Sequence, residues 1–357
     1  MKNGTVLLFP LCASLLSPGC ATIQRGDYTP LRADQFEREA DGRAGGIPAE
    51  AREKILALDP EHVSEWEITK LLSQMPAPRI ITIQGGLLPI KSTMTSFARF
   101  LIGMGYPAAS IRDPNDGAYT YGYYEGGDRI AGAIAWYYER DGLRPMIVGH
   151  SLGGIQAVRV LHILADPARK LSVWNPLTRS DEKRSEITDP LDGTTRPVTS
   201  VQVSYASAAV AGGLARILPN EWDMNSKLRK IPDSVEEFTG FHKGLDLLGG
   251  DFLGYGPAND YHPTGTAIVR NVRLPSAGVH STIPATRHLL KNREIKDWIN
   301  NYRPSGQGME APGSIRKFGW NSTRILWAAE VWHSIKKHWV LELQRVIRAS
   351  LSQACGD

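Results

Sequence analysis

The chain reads as an α/β protein with a largely parallel sheet flanked by helices. Two observations predict this class. Short apolar runs at Arg79–Gln84, Pro145–Val148, Val198–Ser204, Val235–Phe241 and Ala267–Leu274 alternate with longer stretches of helical periodicity. One of these runs, Pro145–Val148, passes without a linker into Gly149-His150-Ser151-Leu152-Gly153. Leu152–Leu164 then continues with Ile155, Val158, Leu161 and Ile163 on one helical side. A strand that turns into a helix at a serine between glycines matches the pattern G-x-S-x-G, in which a tight turn pushes the hydroxyl clear of the backbone.

The elements follow in order. Pro48–Leu58 and Ser64–Met75 read as helices, the second opened by a capping box of Ser64 and Glu67. The strand Arg79–Gln84 is closed by Gly85-Gly86. Ser92–Met104 is helical, Ala108–Arg112 is a candidate strand, and helix Asp128–Arg140 leads to the serine-bearing turn. A charged, Pro-rich insertion spans Pro167–Pro197, ahead of strand Val198–Ser204. Strands Val235–Phe241 and Ala267–Leu274 precede a helix at His288–Asn300. From about Asn321 a last helix carries Ile325, Ala328, Trp332, Ile335, Trp339, Leu343 and Val346 in one apolar stripe, with Lys336, Lys337, Arg345 and Arg348 off it. The stripe predicts an amphipathic helix packed on the domain's own surface. Its Trp and basic residues also suit a membrane surface.

The bulk properties exclude several classes. A chain of 357 residues holds one large α/β domain with insertions, or two modest domains. A net charge of +4 without long basic tracts argues against a nucleic-acid partner. No internal repeat, zinc-type Cys/His spacing or phosphate-cradling Gly-rich loop is present, so neither metal nor cofactor is expected.

The first residues read as a targeting segment. Lys2 precedes an apolar stretch, Val6–Leu16, too short to span a bilayer. Leu15-Leu16-Ser17-Pro18-Gly19-Cys20-Ala21-Thr22 resembles the lipobox of bacterial lipoproteins, departing from it at Ser17 and Pro18. That resemblance implies a lipidated Cys20 as the mature first residue, and Ala21 after it implies outer-membrane sorting. Cleavage without lipidation would instead make the protein periplasmic or secreted. Cys12 is the poorer lipidation candidate, and Cys355 then has no internal disulfide partner. The organisation is thus leader 1–20, tether 21–47, N-terminal helices 48–75, and an α/β domain 76–302 with insertion 167–197 and candidate cap 206–232. A helical extension, 303–357, ends the chain.

A serine hydroxyl needs a base to take its proton and a third group to orient that base. In hydrolases with this turn the chain order is Ser, then acid, then His. His62 comes too early and His162 lies on the helix after the turn. His242 and His262 precede the end of the last strand, and His333 and His338 lie on the terminal helix. His280, in the loop after Ala267–Leu274, is the candidate base, with His288 behind it. The acid should follow strand Val235–Phe241, which favours Asp246 over Asp251, Asp260 and Asp223. Oxyanion donors are expected from the Leu152 N–H and from Gly86 or Leu87 in the loop after the first strand. Leu87–Met94, Asp113–Gly127 with its run Tyr119–Tyr124, and Ala206–Pro232 should border the pocket.

Together, Ser151, the Gly85-Gly86 loop and His280 resemble the α/β-hydrolase superfamily, nearest its bacterial lipase- and esterase-like members, over about residues 76–300. Gln84 stands where a His-Gly dipeptide is common, and helices at 48–75 replace the first two strands of the full sheet. The resemblance implies an α/β-hydrolase fold and a serine hydrolase acting on lipid-like or other acyl esters. The same residues would serve an acyltransferase or amidase, and the scaffold could also serve a non-catalytic envelope lipoprotein.

Overall fold

The five central strands lie side by side in chain order, every neighbouring pair parallel. A computed structural model describes residues 46–86, 88–213, 218–246, 248–250, 259–304 and 312–354. Strand β1 is Ile80–Ile83, β2 Met146–His150, β3 Val203–Ala209, β4 Val235–Lys243 and β5 Ile268–Leu274. Register brings Ile81, Ile147, Ala206, Phe238 and Val269 into one row across the sheet. Parallel strands need crossovers, which place helices on both faces and explain why β1 and β2 are buried along their whole length.

The helices are α1 (Ala49–Leu56), α2 (Glu65–Lys70), α3 (Leu88–Gly103), α4 (Gly127–Asp141), α5 (Leu152–Leu164), α6 (Arg293–Asn301) and α7 (Ser322–Ala354). Ser64 caps α2, accepting from the Glu67 N–H at 3.2 Å while Glu67 accepts from the Ser64 N–H at 2.6 Å. Alternate residues along the strands serve opposite layers. Ile80, Met146, Val148, Tyr205, Phe241 and Val272 pack with α1, α3, α6 and α7. Ile81, Ile147, Ala206, Ala208 and Phe238 pack with α4 and α5. Within 167–197 the insertion forms two antiparallel ribbons, Trp174–Asn175 with Ser180–Asp181 and Glu186–Thr188 with Thr195–Pro197.

Three sequence expectations are corrected. Ala108–Arg112 forms no strand; Ala108–Ser110 is a 3₁₀ turn. The buried Arg79 guanidinium donates to the Ala109 carbonyl at 2.6 Å and to that of Arg112, so these acceptors serve an arginine and not a ladder. The β1 edge pairs instead with the Tyr run, through a bridge between Ile83 and Tyr121. The strand expected at Val198–Ser204 begins only at Val203, after a 3₁₀ turn at Val198–Ser200. The helix expected at His288–Asn300 breaks at Asn292, whose side chain caps α6 after a 3₁₀ segment, Arg287–Lys291.

Helix α7 is the larger surprise. It is not an amphipathic surface helix; its apolar stripe and most of its polar positions are buried. Trp327, Trp332 and Trp339 are fully covered, which leaves them unavailable to a membrane surface. Trp332 donates to the Asn300 side chain at 2.9 Å and Trp339 to the Pro76 carbonyl at 2.8 Å. Lys336 is buried too, donating to the carbonyls of Val63 at 2.9 Å and of Asn300, near the end of α6, at 2.8 Å. Burial pulls its ammonium down to about 8. No helix among the described residues is long and apolar enough to cross a membrane.

Charge ties α7 to the sheet. Glu237 on β4 accepts from Lys337 at 2.8 Å and His338 at 3.3 Å, and Arg270 on β5 lies 3.6 Å away. Burial alone would raise the Glu237 carboxyl; the His338 and Lys337 bonds and charges outweigh it and hold it far below the usual range. A carboxyl lowered on folding stabilises above its unfolded pKa of about 4.3, and that contribution fades as pH falls below it. Glu237→Gln should therefore cost about 1–3 kcal/mol at pH 7, because Lys337 and Arg270 keep only their second carboxylates, Glu61 at 2.6 Å and Glu330 at 3.0 Å. In urea denaturation the gap from wild type should narrow progressively below about pH 4. Equal stabilities at pH 7 would refute this role for Glu237.

Candidate active site

Side chains that follow the carboxyl ends of β2, β4 and β5 come together at one edge of the sheet around Ser151. Strand β2 ends at His150 and α5 begins at Leu152, so Ser151 alone makes the turn. Its backbone takes φ 56°, ψ −127°, a conformation that L-residues rarely adopt. The Ser151 N–H donates to the Ala209 carbonyl at 2.9 Å, extending the β2–β3 ladder to the serine itself. A Cβ on Gly149 would lie 2.3 Å from the Gly153 carbonyl oxygen, and one on Gly153 would lie 2.2 Å from that of Ile83. Both contacts are impossible for any larger residue, so the two glycines are what allow so abrupt a turn.

The structure brings the three candidate residues Ser151, His280 and Asp246 within hydrogen-bonding distance, each of the next. The Ser151 hydroxyl stands 2.8 Å from Nε2 of His280, and His280 Nδ1 stands 2.7 Å from Asp246 Oδ2. A carboxylate only accepts, so Nδ1 carries the proton of the neutral imidazole and Nε2 is left bare to receive the serine proton. Ser151, Asp246 and His280 are all buried, where such hydrogen bonds are strongest. Burial raises the Asp246 carboxyl, but the His280 bond and charge, the Gly249 N–H and Lys243 together hold it below its ordinary value.

Asp246 is itself held. Its Oδ1 accepts the Gly249 N–H at 2.9 Å. Asn259, which sequence reasoning missed, is buried and donates to the Gly249 carbonyl at 2.5 Å while accepting from the Gly212 N–H at 3.0 Å. It thereby links the loop after β3 to the loop that carries the acid. A lone Asn in a loop gives no signal of this in sequence. Strained backbone gathers at the same end of the sheet: Val210 after β3 has φ 47° and Leu245 after β4 has φ 61°.

The remaining candidates are placed as follows. Leu152 is the first residue of α5, so its N–H is one of the donors a helix leaves without an intrahelical partner. Gly86 lies against it, since a Cβ there would meet Leu152 Cδ1 at 2.7 Å and the Tyr124 hydroxyl at 3.6 Å. Leu87, Asp251, Cys12, Cys20 and Cys355 lie outside the described residues. Asp260 is exposed, 3.4 Å from the Asn271 amide, and Asp223 pairs with Arg159 at 3.0 Å. His288 bonds Asn321 at 3.2 Å, His62 pairs with Asp59, and His162 faces the Lys227 carbonyl. None of these is joined to Ser151. In the Tyr run, Tyr121 and Tyr123 are buried, whereas Tyr124 is 82% exposed beside Gly86. Among the described residues no group of three or more His, Cys, Asp or Glu side chains is placed to hold a metal ion.

No family model, curated protein or solved structure matches the chain.

The acid assignment has a direct consequence. Asp246→Asn should lower the turnover of any reaction at Ser151 by about 10³- to 10⁴-fold, through loss of the correct imidazole tautomer. Asp260→Asn should stay within about threefold of wild type, as expected for an exposed carboxylate with no bond to His280 or Ser151. Steady-state kinetics of the two variants decides between them, and a more damaging Asp260→Asn would displace Asp246.

Proposed function

We propose that the protein is a serine hydrolase of the α/β-hydrolase type that cleaves carboxylic esters through an acyl-enzyme on Ser151. The observation that carries this reading is the unbroken chain of hydrogen bonds from Ser151 through His280 to Asp246, at 2.8 and 2.7 Å, with the serine on a strained strand-to-helix turn. Such strain is retained where it serves a site.

In the proposed cycle, Ser151 Oγ attacks the ester carbonyl carbon as its proton passes to His280 Nε2. The carbonyl π pair moves onto oxygen, where the Leu152 N–H and a donor of the Gly86 loop stabilise it. Collapse expels the alkoxide, which takes the proton from His280, and the acyl-enzyme remains. Water then attacks that carbonyl, giving its proton to His280, and the acid is released as Ser151 recovers the proton. Asp246 stays ionised and stabilises the imidazolium.

Acyl transfer to a non-water acceptor and amide cleavage would use the same groups; no feature of the described residues favours either. Esters of lipid-like acids suit a chain attached to the bacterial envelope through an acylated Cys20, which is part of the proposal.

The test is a series of p-nitrophenyl esters, from acetate to palmitate, assayed on full-length protein recovered by detergent phase separation. Wild type should hydrolyse part of the series. Ser151→Ala and His280→Ala should each lose about 10³-fold or more in kcat. Cys20→Ala should move undiminished activity into the aqueous phase. Hydrolysis that survives Ser151→Ala would overturn the reading, and wild-type activity found in the aqueous phase would remove the lipid anchor alone.

A further inference from the structure

His150, next to the nucleophile in sequence, has a side chain that the cycle above does not use. It is fully buried at the end of β2, and its Nε2 lies 3.0 Å from the His280 carbonyl oxygen. A carbonyl only accepts, so Nε2 must carry the proton and donate it. In the neutral ring Nδ1 is then bare, and it has no hydrogen-bond partner among the described residues. Burial, helped by the neighbouring His280, drives the His150 imidazole down to about 3, so it stays neutral where the enzyme works. The two imidazoles stand 5.1 Å apart at 47°.

The partner explains what this bond does. His280 opens a single 3₁₀ turn, His280–Thr282, in a loop that enters through Gly278 at φ 72°. Upstream, the Thr323 hydroxyl stands 2.6 Å from both the Pro275 and the Ala277 carbonyl oxygens, between which its one proton is shared. At His280 itself the turn's own bond, from the Ile283 N–H to the His280 carbonyl, is long at 3.5 Å. The shorter bond to that carbonyl comes from His150. A buried nitrogen without a partner costs stability that an apolar residue of similar size would avoid, so packing does not account for a histidine here.

We propose that His150 is a positioning residue: its Nε2–H anchors the main chain of His280, keeping that imidazole in line with Ser151 while protons move through it. The anchor of the base is the last residue of β2 and the nucleophile is the residue that follows it, which ties base to nucleophile through one stretch of main chain. This inference rests on the esterase reading for its kinetic form, but the anchoring itself does not.

Three variants test it: His150→Leu, which removes the donor; His150→Gln, whose terminal N–H₂ reaches about as far as Nε2; and His150→Asn, whose N–H₂ falls short. On the best p-nitrophenyl ester, Leu and Asn should lower kcat by about 10- to 100-fold, the scale of a small misplacement, with KM within about twofold. Gln should recover to within about fivefold of wild type. In parallel, proton NMR should show the low-field resonance of the His280 Nδ1–H bonded to Asp246 in wild type and Gln, broadened or lost in Leu and Asn. The resonance reads the anchor whether or not esters are substrates, so an inactive wild type with this NMR pattern would sink only the esterase reading. Should His150→Leu fail to fold, the Gln and Asn pair carries the comparison alone. Leu or Asn with wild-type kcat and resonance, or Gln as impaired as Asn, would overturn the proposal.

Discussion

Everything at this site depends on a strand that becomes a helix with one residue between them. The β2–β3 ladder runs up to Ser151, and α5 starts at the next residue. Only a backbone at φ 56° makes that junction, and only glycines at 149 and 153 let the elements come so close. The constraint does two things at once. It presents a hydroxyl at the carboxyl edge of the sheet, and it sets a fresh helix N-terminus, with its unpaired N–H groups, beside that hydroxyl. The rest of the sheet supplies the fixed frame: Asp246 follows the end of β4 at Lys243, and His280 follows the end of β5 at Leu274 after a short loop.

The strain has to be offset by packing elsewhere, and α7 is prominent in that packing. Its three indoles fill the layer under the sheet, and its polar side chains are matched with buried partners. Glu342 meets Arg144 and Arg345, Lys337 and His338 meet Glu237, and Gln344 donates to the Ile55 carbonyl at 2.9 Å. A helix held on so many sides is hard to shift, so the strands that it braces keep their register. Two further strained residues, Val210 and Leu245, sit above this braced sheet at the same edge as Ser151. The other two non-glycine residues with positive φ among the described residues, Arg179 and Lys183, lie in the insertion, so three of the five stand at this edge.

How much of this could be read from the chain follows from where each signal lies. The turn at Ser151 was legible because apolar periodicity changes from strand to helix across one residue. Asp246 and His280 were legible because strand ends restrict where an acid and a base can stand. Helix α7 was misread as amphipathic because Lys336, Lys337, His338 and Glu342 look solvent-facing until their buried partners from distant segments are known. Ala108–Arg112 was misread as a strand because its carbonyls are claimed by Arg79, about thirty residues earlier. Asn259 and His150 act through backbone groups of loops remote in sequence, and a residue bonding to a carbonyl or an N–H leaves no pattern of its own. What local periodicity encodes was recovered; what long-range polar pairing encodes was not.

The central claim is that His280 and Asp246 make Ser151 nucleophilic. Reaction with a fluorophosphonate probe, located by peptide mass spectrometry, tests it without assuming any natural substrate. One phosphonyl group per chain on the peptide bearing Ser151, formed in wild type and absent in His280→Ala, is the predicted result. No adduct on Ser151, or labelling that survives His280→Ala at the wild-type rate, would contradict the account.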